Sequence, residues 1–401
     1  MPVLFLLTHV PTDAVNDGFL PAALQLGLKV ILLTDQPDAH RHHFATPEVI
    51  AGPHDIIACD VFNPIAVITE IGLYKERPTA IFSNSDHLQT SAAMAAEFFG
   101  LPGKDWKATY RAKNKAAMRS CMNDQGIDGV WHAVVTNAGE LNSLNDLPLP
   151  CVVKPREGVG SQLVRLCKDP NAVVQHCRDV WTDQNGRAML IEEYLAGELY
   201  TLETLGDGKD IMILGGFHVA LGPPPNFVEM EGRWSDWLSA EQKHEVLRQI
   251  KAVGVGFGSC HTEFVLGPKG PRIIEINYRT VGDHMEFMLE HTLDISLFEK
   301  ILRLHLGEPL GECRLADKVA AIRYFPAESS GEIVTAPEGF FRADEDVRVE
   351  YRPMRKAGDH ITITHSNKDY LGILSASAPD FKALDAALKQ DSACLIWEIR
   401  A

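Results

Sequence analysis

The sequence predicts a mixed α/β and α+β chain. A doubly wound α/β domain spans 1–110, a central segment 111–311, and a compact α+β domain 312–401. Three observations point there. The N-terminal part alternates β-rich runs with helical patterns, which implies a parallel sheet wrapped by helices. The last part holds short β-rich runs around a single helical pattern. At 401 residues the chain is also too long for one core and suggests two or three domains.

In the first domain, strands are expected at Val3–Leu7, Lys29–Thr34, Ile56–Val61 and Thr79–Phe82. Helices are expected at Phe19–Leu26, Pro64–Tyr74 and His87–Phe99. The first strand-to-helix turn, Thr8-His9-Val10-Pro11-Thr12-Asp13, lacks the glycine fingerprint, so no dinucleotide is expected there despite Asp35 closing the second strand. His40-Arg41-His42-His43 reads as a solvated polar loop rather than a metal site.

The centre opens with a polar helix over Ala112–Asp124 that carries a basic face. Strands follow at Cys151–Lys154 and Ala188–Leu195, the second ending at Gly197. Ser239-Ala240-Glu241-Gln242 is a capping-box start. Its helix buries Val246, Leu247, Ile250 and Val253. Asp294 is expected to cap a helix carrying Phe298, Ile301, Leu302 and His305. The C-terminal domain reads as strands at Ala320–Phe325, Gly331–Thr335, Val347–Tyr351, His360–Thr364 and Cys394–Ile399, with a helix near Asp380–Gln390.

Charge narrows the class of function. The formal net charge is 38 − 54 = −16, and no Lys/Arg block is present, which argues against a nucleic-acid partner. Eight scattered cysteines without a C-x-x-C pair read as reduced, mostly buried thiols. Met1-Pro2-Val3-Leu4-Phe5-Leu6-Leu7 has no basic flank or cleavage site and reads as a first strand, not a signal peptide. No apolar stretch reaches membrane-spanning length. A soluble, cytoplasmic protein without a membrane or nucleic-acid partner is expected.

The most informative stretch runs from His261 to Arg279. Two β-rich segments flank Gly267-Pro268-Lys269-Gly270-Pro271, a hairpin signal. A hairpin centred on Lys269 sets Glu263 opposite Glu275 and His261 opposite Asn277. Alternation then puts Glu263, Glu275 and Asn277 on one face, with Phe264, Ile274 and Ile276 on the other. Facing like charges destabilise a sheet. Two carboxylates and an amide oxygen suit Mg²⁺ shared with phosphates. The alternative is a solvated hairpin face that happens to carry acids. His261 is a poor Mg²⁺ ligand and is expected to support the site or touch substrate.

Familiar phosphate motifs are missing: no G-x-x-x-x-G-K-[ST] occurs, and Gly254-Val255-Gly256-Phe257-Gly258 lies between a helix and a strand, the reverse of a dinucleotide turn. Val153-Lys154-Pro155 followed by Gly158-Val159-Gly160-Ser161 can neutralise phosphates and cover them with backbone N–H groups. Leu190-Ile191-Glu192-Glu193-Tyr194-Leu195-x-Gly197 can expose main-chain groups at a strand end. Each signal alone is weak, but their order with Asn114-Lys115, His261-Thr262-Glu263 and Glu275-Ile276-Asn277-Tyr278-Arg279 is specific. So ordered, nearly the whole chain resembles the ATP-grasp superfamily, in its carboxylate–amine ligase branch, which includes L-amino-acid (dipeptide) ligases.

The resemblance implies an ATP-grasp core with a mobile lid at about 120–190. It makes Lys115 and Lys154 the lysines that hold the nucleotide phosphates, and puts Gly160 and Ser161 in the phosphate-covering loop. Glu192, Glu193 and Leu195 match the hinge at the adenine. Glu263, Glu275 and Asn277 match the Mg²⁺ ligands, a site Mn²⁺ can also fill. Arg279 matches the arginine that stabilises the transferred phosphoryl group or a substrate carboxylate, and Lys154 acts with it. Relatives often carry a ribose-contacting Glu where this chain has Leu199; Glu198 is the candidate substitute, though its facing is wrong if the strand starts in register. Trp234-Ser235-Asp236-Trp237 replaces a proline-containing loop and either shapes a substrate pocket, with Glu229 meeting an amine, or packs on the core.

The implied reaction joins a carboxylic acid to an amine through an acyl phosphate, with ATP and Mg²⁺. Small-molecule carboxylates and amines are the expected partners, and a homodimer is compatible with this class. Alternatives are natural-product or siderophore tailoring, a carboxylating enzyme, or a non-catalytic nucleotide binder. The tail has no Met-Lys-Met element of a biotinyl carrier.

Overall fold

The computed structural model describes residues 1–46, 49, 51–127, 129–344 and 346–401. Strands Val3–Leu7, Lys29–Thr34, Asp55–Ala58 and Ala80–Phe82 form a parallel sheet in the order third, second, first, fourth. Both faces are covered. Leu4, Leu6, Val30 and Phe82 join one core, and Phe5, Leu7, Ile31 and Leu33 join another. Burial on both sides is why these strands are continuous apolar runs rather than alternating ones.

The stretch expected to form the lid holds a four-stranded antiparallel sheet: His132–Val135, Met189–Glu193, Cys151–Pro155 and Arg165–Cys167, in that order. The helix Pro170–Asp183, N-capped by Asp169, lays Val173, Cys177 and Val180 on it. Beyond the lid a nine-stranded sheet runs Gly270–Asn277, Phe257–Gly267, Glu198–Asp207, Ile211–Leu221, Glu229–Ser235, Val319–Pro326, Tyr370–Ala378, Val347–Pro353 and Phe340–Asp344. The pairing of Glu229–Ser235 with Val319–Pro326 joins the central and C-terminal segments into one sheet. The predicted capping box forms at Ser239 and Gln242, and its helix ends at Gly254, whose φ of 103° is the left-handed turn that glycine takes at low cost.

Several expectations change. The polar helix at 112–124 is two helices, Trp106–Lys113 and Lys115–Asp124, broken at Asn114, whose side chain accepts from Ala117 N. His40-Arg41-His42-His43 lies in a helix, Pro37–Phe44, not a loop, and His40 is fully buried with Nε2 3.2 Å from His9 O. Asp294 ends the helix Met285–Leu293, while Ser296 precedes the next, Leu297–His305. The strands Ile211–Leu221, Phe340–Asp344 and Tyr370–Ala378 carry no clear sequence signal. No described helix is long and apolar enough to cross a membrane.

Candidate active site

The hairpin pairs as its sequence predicts where it matters: Glu263 opposes Glu275, and His261 opposes Asn277. The turn itself is tighter, with Gly267 opposite Gly270, and a bulge beyond Glu263 absorbs the extra residue. The bulge reverses the expected facing of Ile274. Ile273, not Ile274, joins Phe264 and Ile276 in the core, and Ile274 lines the cavity beside Glu275.

The like charges are balanced by the chain's own cations. Lys115 Nζ sits 2.9 Å from Glu275 Oε1 and donates to Gly158 O at 3.0 Å. Asn277 Nδ2 donates to Glu263 Oε1 at 3.0 Å. His261 Nδ1 lies 2.6 Å from Glu203 Oε1, and its Nε2 3.5 Å from Glu263 Oε1. Burial alone would lower the His261 pKa, but Glu203 and then Glu263 outweigh it and lift it to about 10. The imidazolium form of His261 is therefore favoured, and its charge helps hold the Glu263 carboxyl below its ordinary range against the effect of burial. Two carboxylates and an amide on one sheet face fit a divalent cation with oxygen ligands.

A second buried knot ties the four-stranded sheet to the helix Lys115–Asp124. Lys154 Nζ is 2.5 Å from Glu192 Oε1, and Arg119 Nε is 2.9 Å from Glu192 Oε2. Arg119 Nη1 also donates to Ile273 O at 2.6 Å, tying the helix to the hairpin. Burial pushes the Glu192 carboxyl up, yet Arg119 and Lys154 bring it down to about 2. Glu192 is thus a fixed counter-ion for the lysine rather than a free hinge contact. Sequence reasoning missed Arg119, although it lies one helical turn after Lys115 and so on the same face.

Along the rest of the hinge, Glu193 Oε1 pairs with Arg272 at 2.9 Å, and Glu193 N and Tyr194 N donate to Trp131 O and Pro150 O. Leu195 and Leu199 line the cavity with Val152, Val164 and Val265. Glu198 does not. Its side chain is 69% exposed and accepts from Tyr200 Oη at 3.0 Å, because strand alternation turns Leu199 inward and Glu198 out. In the lid loop, Gly158, Val159 and Ser161 line the cavity. Gly160, at φ 60°, spends its carbonyl on Asn367 N at 3.1 Å, and Leu166 N donates to Pro225 O at 2.9 Å, so the lid rests on the far wall. The cavity between these walls has a volume of about 120 Å³.

Arg279 follows the hairpin, and Thr280 N donates to Asn84 Oδ1 at 3.3 Å. That joins the site to the carboxyl ends of the parallel strands, where ligands of such sheets bind. There Asp86 pairs with Lys113 at 2.7 Å. Burial raises the Asp86 pKa, but Lys113, Arg279 and Lys115 bring it down to about 2. Trp234 is core, packed in an edge contact with Phe217 over Gly215, while Trp237 packs on Phe381. Neither tryptophan lines the cavity. Glu229, by contrast, does, and burial followed by Glu263 and Asp283 lifts it to about 8.

Residues 112–283 match the model of the ATP-grasp domain. An uncharacterised protein of Sinorhizobium fredii is 26% identical across 99% of this chain and 83% of its own length. Carnosine synthase 1 of Gallus gallus is 26% identical over 72% of this chain, which spans only 33% of that protein. Among solved structures, the L-amino acid ligase of Bacillus licheniformis superposes with a TM-score of 0.79 at 19% identity, covering 100% of this chain and 99% of that one.

Proposed function

We propose, from the match of residues 112–283 to the ATP-grasp domain, that this chain is an ATP-dependent ligase that joins a carboxylic acid to an amine through an acyl phosphate, releasing ADP and phosphate. The observation that supports it best is the convergence of Lys115, Lys154, Glu263 and Glu275 on one cavity beneath a lid. Similarity to a carnosine synthase and an L-amino acid ligase favours amino-acid-like substrates. The division at 1–110, 111–311 and 312–401, with the lid near 120–190, belongs to this reading.

Lys115 and Lys154 would hold the ATP phosphates, with Gly160 and Ser161 over them. Leu195 would offer main-chain groups to the adenine, flanked by Glu193, since the N–H groups of Glu193 and Tyr194 are already engaged. Glu263, Glu275 and Asn277 would hold Mg²⁺, which supplies charge neutralisation at the phosphates when bound. Glu192 and Arg119 orient Lys154, and His261 keeps Glu263 ionised. Arg279 would neutralise a carboxylate or phosphoryl oxygen. The closed lid keeps water from an activated acyl group.

Assays of nucleotide products over pairs of carboxylates and amines test this. ADP and phosphate should appear only when both substrates are present, and hydroxylamine in place of the amine should yield a hydroxamate. AMP and pyrophosphate would mean adenylation and sink the proposal. Turnover that needs bicarbonate and no other carboxylate would favour the carboxylating alternative.

A further inference from the structure

Asn367 joins two walls of the cavity without lining it. It opens the short 3₁₀ turn Asn367–Asp369, just ahead of the strand Tyr370–Ala378. Its main-chain N–H donates to Gly160 O at 3.1 Å, in the glycine loop beside the cavity. Its side chain holds Glu229 at two points. Oδ1 accepts from Glu229 N at 3.2 Å, and Nδ2 donates to Glu229 Oε1 at 3.2 Å. Glu229 begins the strand Glu229–Ser235 and lines the cavity, as do Gly158, Val159 and Ser161 of the loop. One residue of the C-terminal segment therefore stands behind both walls and ties them together.

The double hold suits an amide. A carboxamide carries an acceptor and two donors, so it can face a main-chain N–H and a carboxyl oxygen at once. The turn that presents Asn367 does not need this side chain. Ser366 and Asp369 form a reciprocal capping pair, and Asp369 also accepts from Thr364 N at 2.9 Å. The loop, by contrast, needs holding. Gly160, Ser161 and Leu163 have φ of 60°, 55° and 58°. Left-handed backbone is costly for residues with a side chain and persists where neighbours fix it. Lys115 Nζ holds Gly158 O at 3.0 Å, and His176 Nε2 lies 2.9 Å from Leu163 O. Asn367 adds the hold that comes from the C-terminal segment.

We propose that Asn367 is a positioning residue that couples the Glu229 wall of the cavity to closure of the glycine loop. A loop closed through Asn367 sets Glu229 in place. A substrate that settles Glu229 favours the closed loop by the same amount, because such coupling is reciprocal. The consequence for chemistry rests on the ligase reading. With the loop closed, the amine attacks the acyl phosphate and water is kept out. With the loop open too early, water attacks instead, and the carboxylic acid and phosphate are released without an amide.

Two variants of the full-length protein test this. Asn367→Ala removes both side-chain bonds to Glu229 and keeps the main-chain N–H. Asn367→Asp keeps the bond from Glu229 N and loses the other. The first readout is limited proteolysis without ligand. Cleavage between roughly 155 and 165 should quicken about 5- to 30-fold in Asn367→Ala, the worth of one or two neutral hydrogen bonds, and less in Asn367→Asp. The second is the ratio of ADP released to amide formed, which should rise in both variants. Tyr370→Phe is the control, because it loses the bond from Tyr370 Oη to Glu229 O at 3.0 Å and leaves Asn367 in place. Wild-type cleavage and a wild-type ratio in both Asn367 variants would overturn the proposal. So would a Tyr370→Phe variant that behaves like Asn367→Ala, or cleavage that quickens equally along the whole chain, the mark of a merely destabilised fold. If loop cleavage responds as expected but no pair of carboxylate and amine supports ADP release, the ligase reading fails and the coupling stands.

Discussion

Lys115 Nζ lies 2.9 Å from Glu275 Oε1, at a position where Glu275 also faces Glu263 across the hairpin. The sheet therefore does not depend on a metal to tolerate its opposed acids. Lys115 serves one carboxylate and the His261 imidazolium serves the other. Mg²⁺ and phosphates would enter a site whose acids already have partners, with the lysine free to exchange a carboxylate for a phosphate oxygen.

Glu275→Gln should cut turnover about 10²–10⁴-fold, the effect of losing roughly 3–5 kcal/mol of metal-assisted stabilisation. Relief of the Glu263–Glu275 repulsion alone would leave the metal-free protein as stable or slightly more so. The ion pair reverses that expectation, because the substitution leaves the buried Lys115 ammonium without its partner. A lowered melting temperature is expected, corresponding to a loss of about 1–3 kcal/mol of stability, less than for a fully buried pair because Glu275 keeps some solvent contact. A higher melting temperature would show that repulsion dominates.

Glu192→Gln should be among the most destabilising conservative changes in the chain. It would take the Glu192 charge away from both Lys154 and Arg119, which are nearly solvent-free. Breaking such a pair costs about 3–5 kcal/mol. Chemical denaturation measures it, and a loss below roughly 1 kcal/mol would mean that these cations find other partners.

The lid loop gives a proteolysis prediction. Without ligand, cleavage should concentrate between roughly 155 and 165, where the closing contacts are single hydrogen bonds such as Asn367 N to Gly160 O. Mg²⁺ with a non-hydrolysable ATP analogue should slow it. Equal cleavage rates would remove the loop from the mechanism.

His305 predicts an acid-sensitive stability. It is buried between Phe82 and Phe257, with ring centroids at 5.0 and 5.1 Å, and burial, then Lys104, pulls its pKa down to about 3. In the unfolded chain the value is about 6.5. Between these limits the unfolded state binds more protons, so stability is retained above about pH 6.5 and lost as pH falls, by up to roughly 1.4 kcal/mol per unit. From pH 7 to 4.5 the wild type should lose stability relative to His305→Phe, whichever is the more stable at pH 7. Parallel curves would contradict a neutral buried imidazole.

Much of this was legible in the sequence, for identifiable reasons. The hairpin could be read because its turn residues and period-two pattern fix a register, and the register alone sets Glu263 against Glu275. What was hidden depended on other segments. The bulge that turns Ile274 into the cavity leaves no local mark, and Arg119 acquires its role only once Glu192, 73 residues away, is folded beside it. Glu198 shows the opposite case: a one-residue shift along a strand moves a side chain to the other face.

The central claim, that a carboxylate is activated by phosphoryl transfer, is tested most directly by isotope transfer. The carboxylic acid that best supports ADP release would be labelled with ¹⁸O in its carboxylate and turned over with its amine and ATP. Mass spectrometry of the released phosphate should then show one ¹⁸O per amide formed, because the acyl oxygen leaves with phosphorus. Unlabelled phosphate, or label found in AMP, would contradict the account.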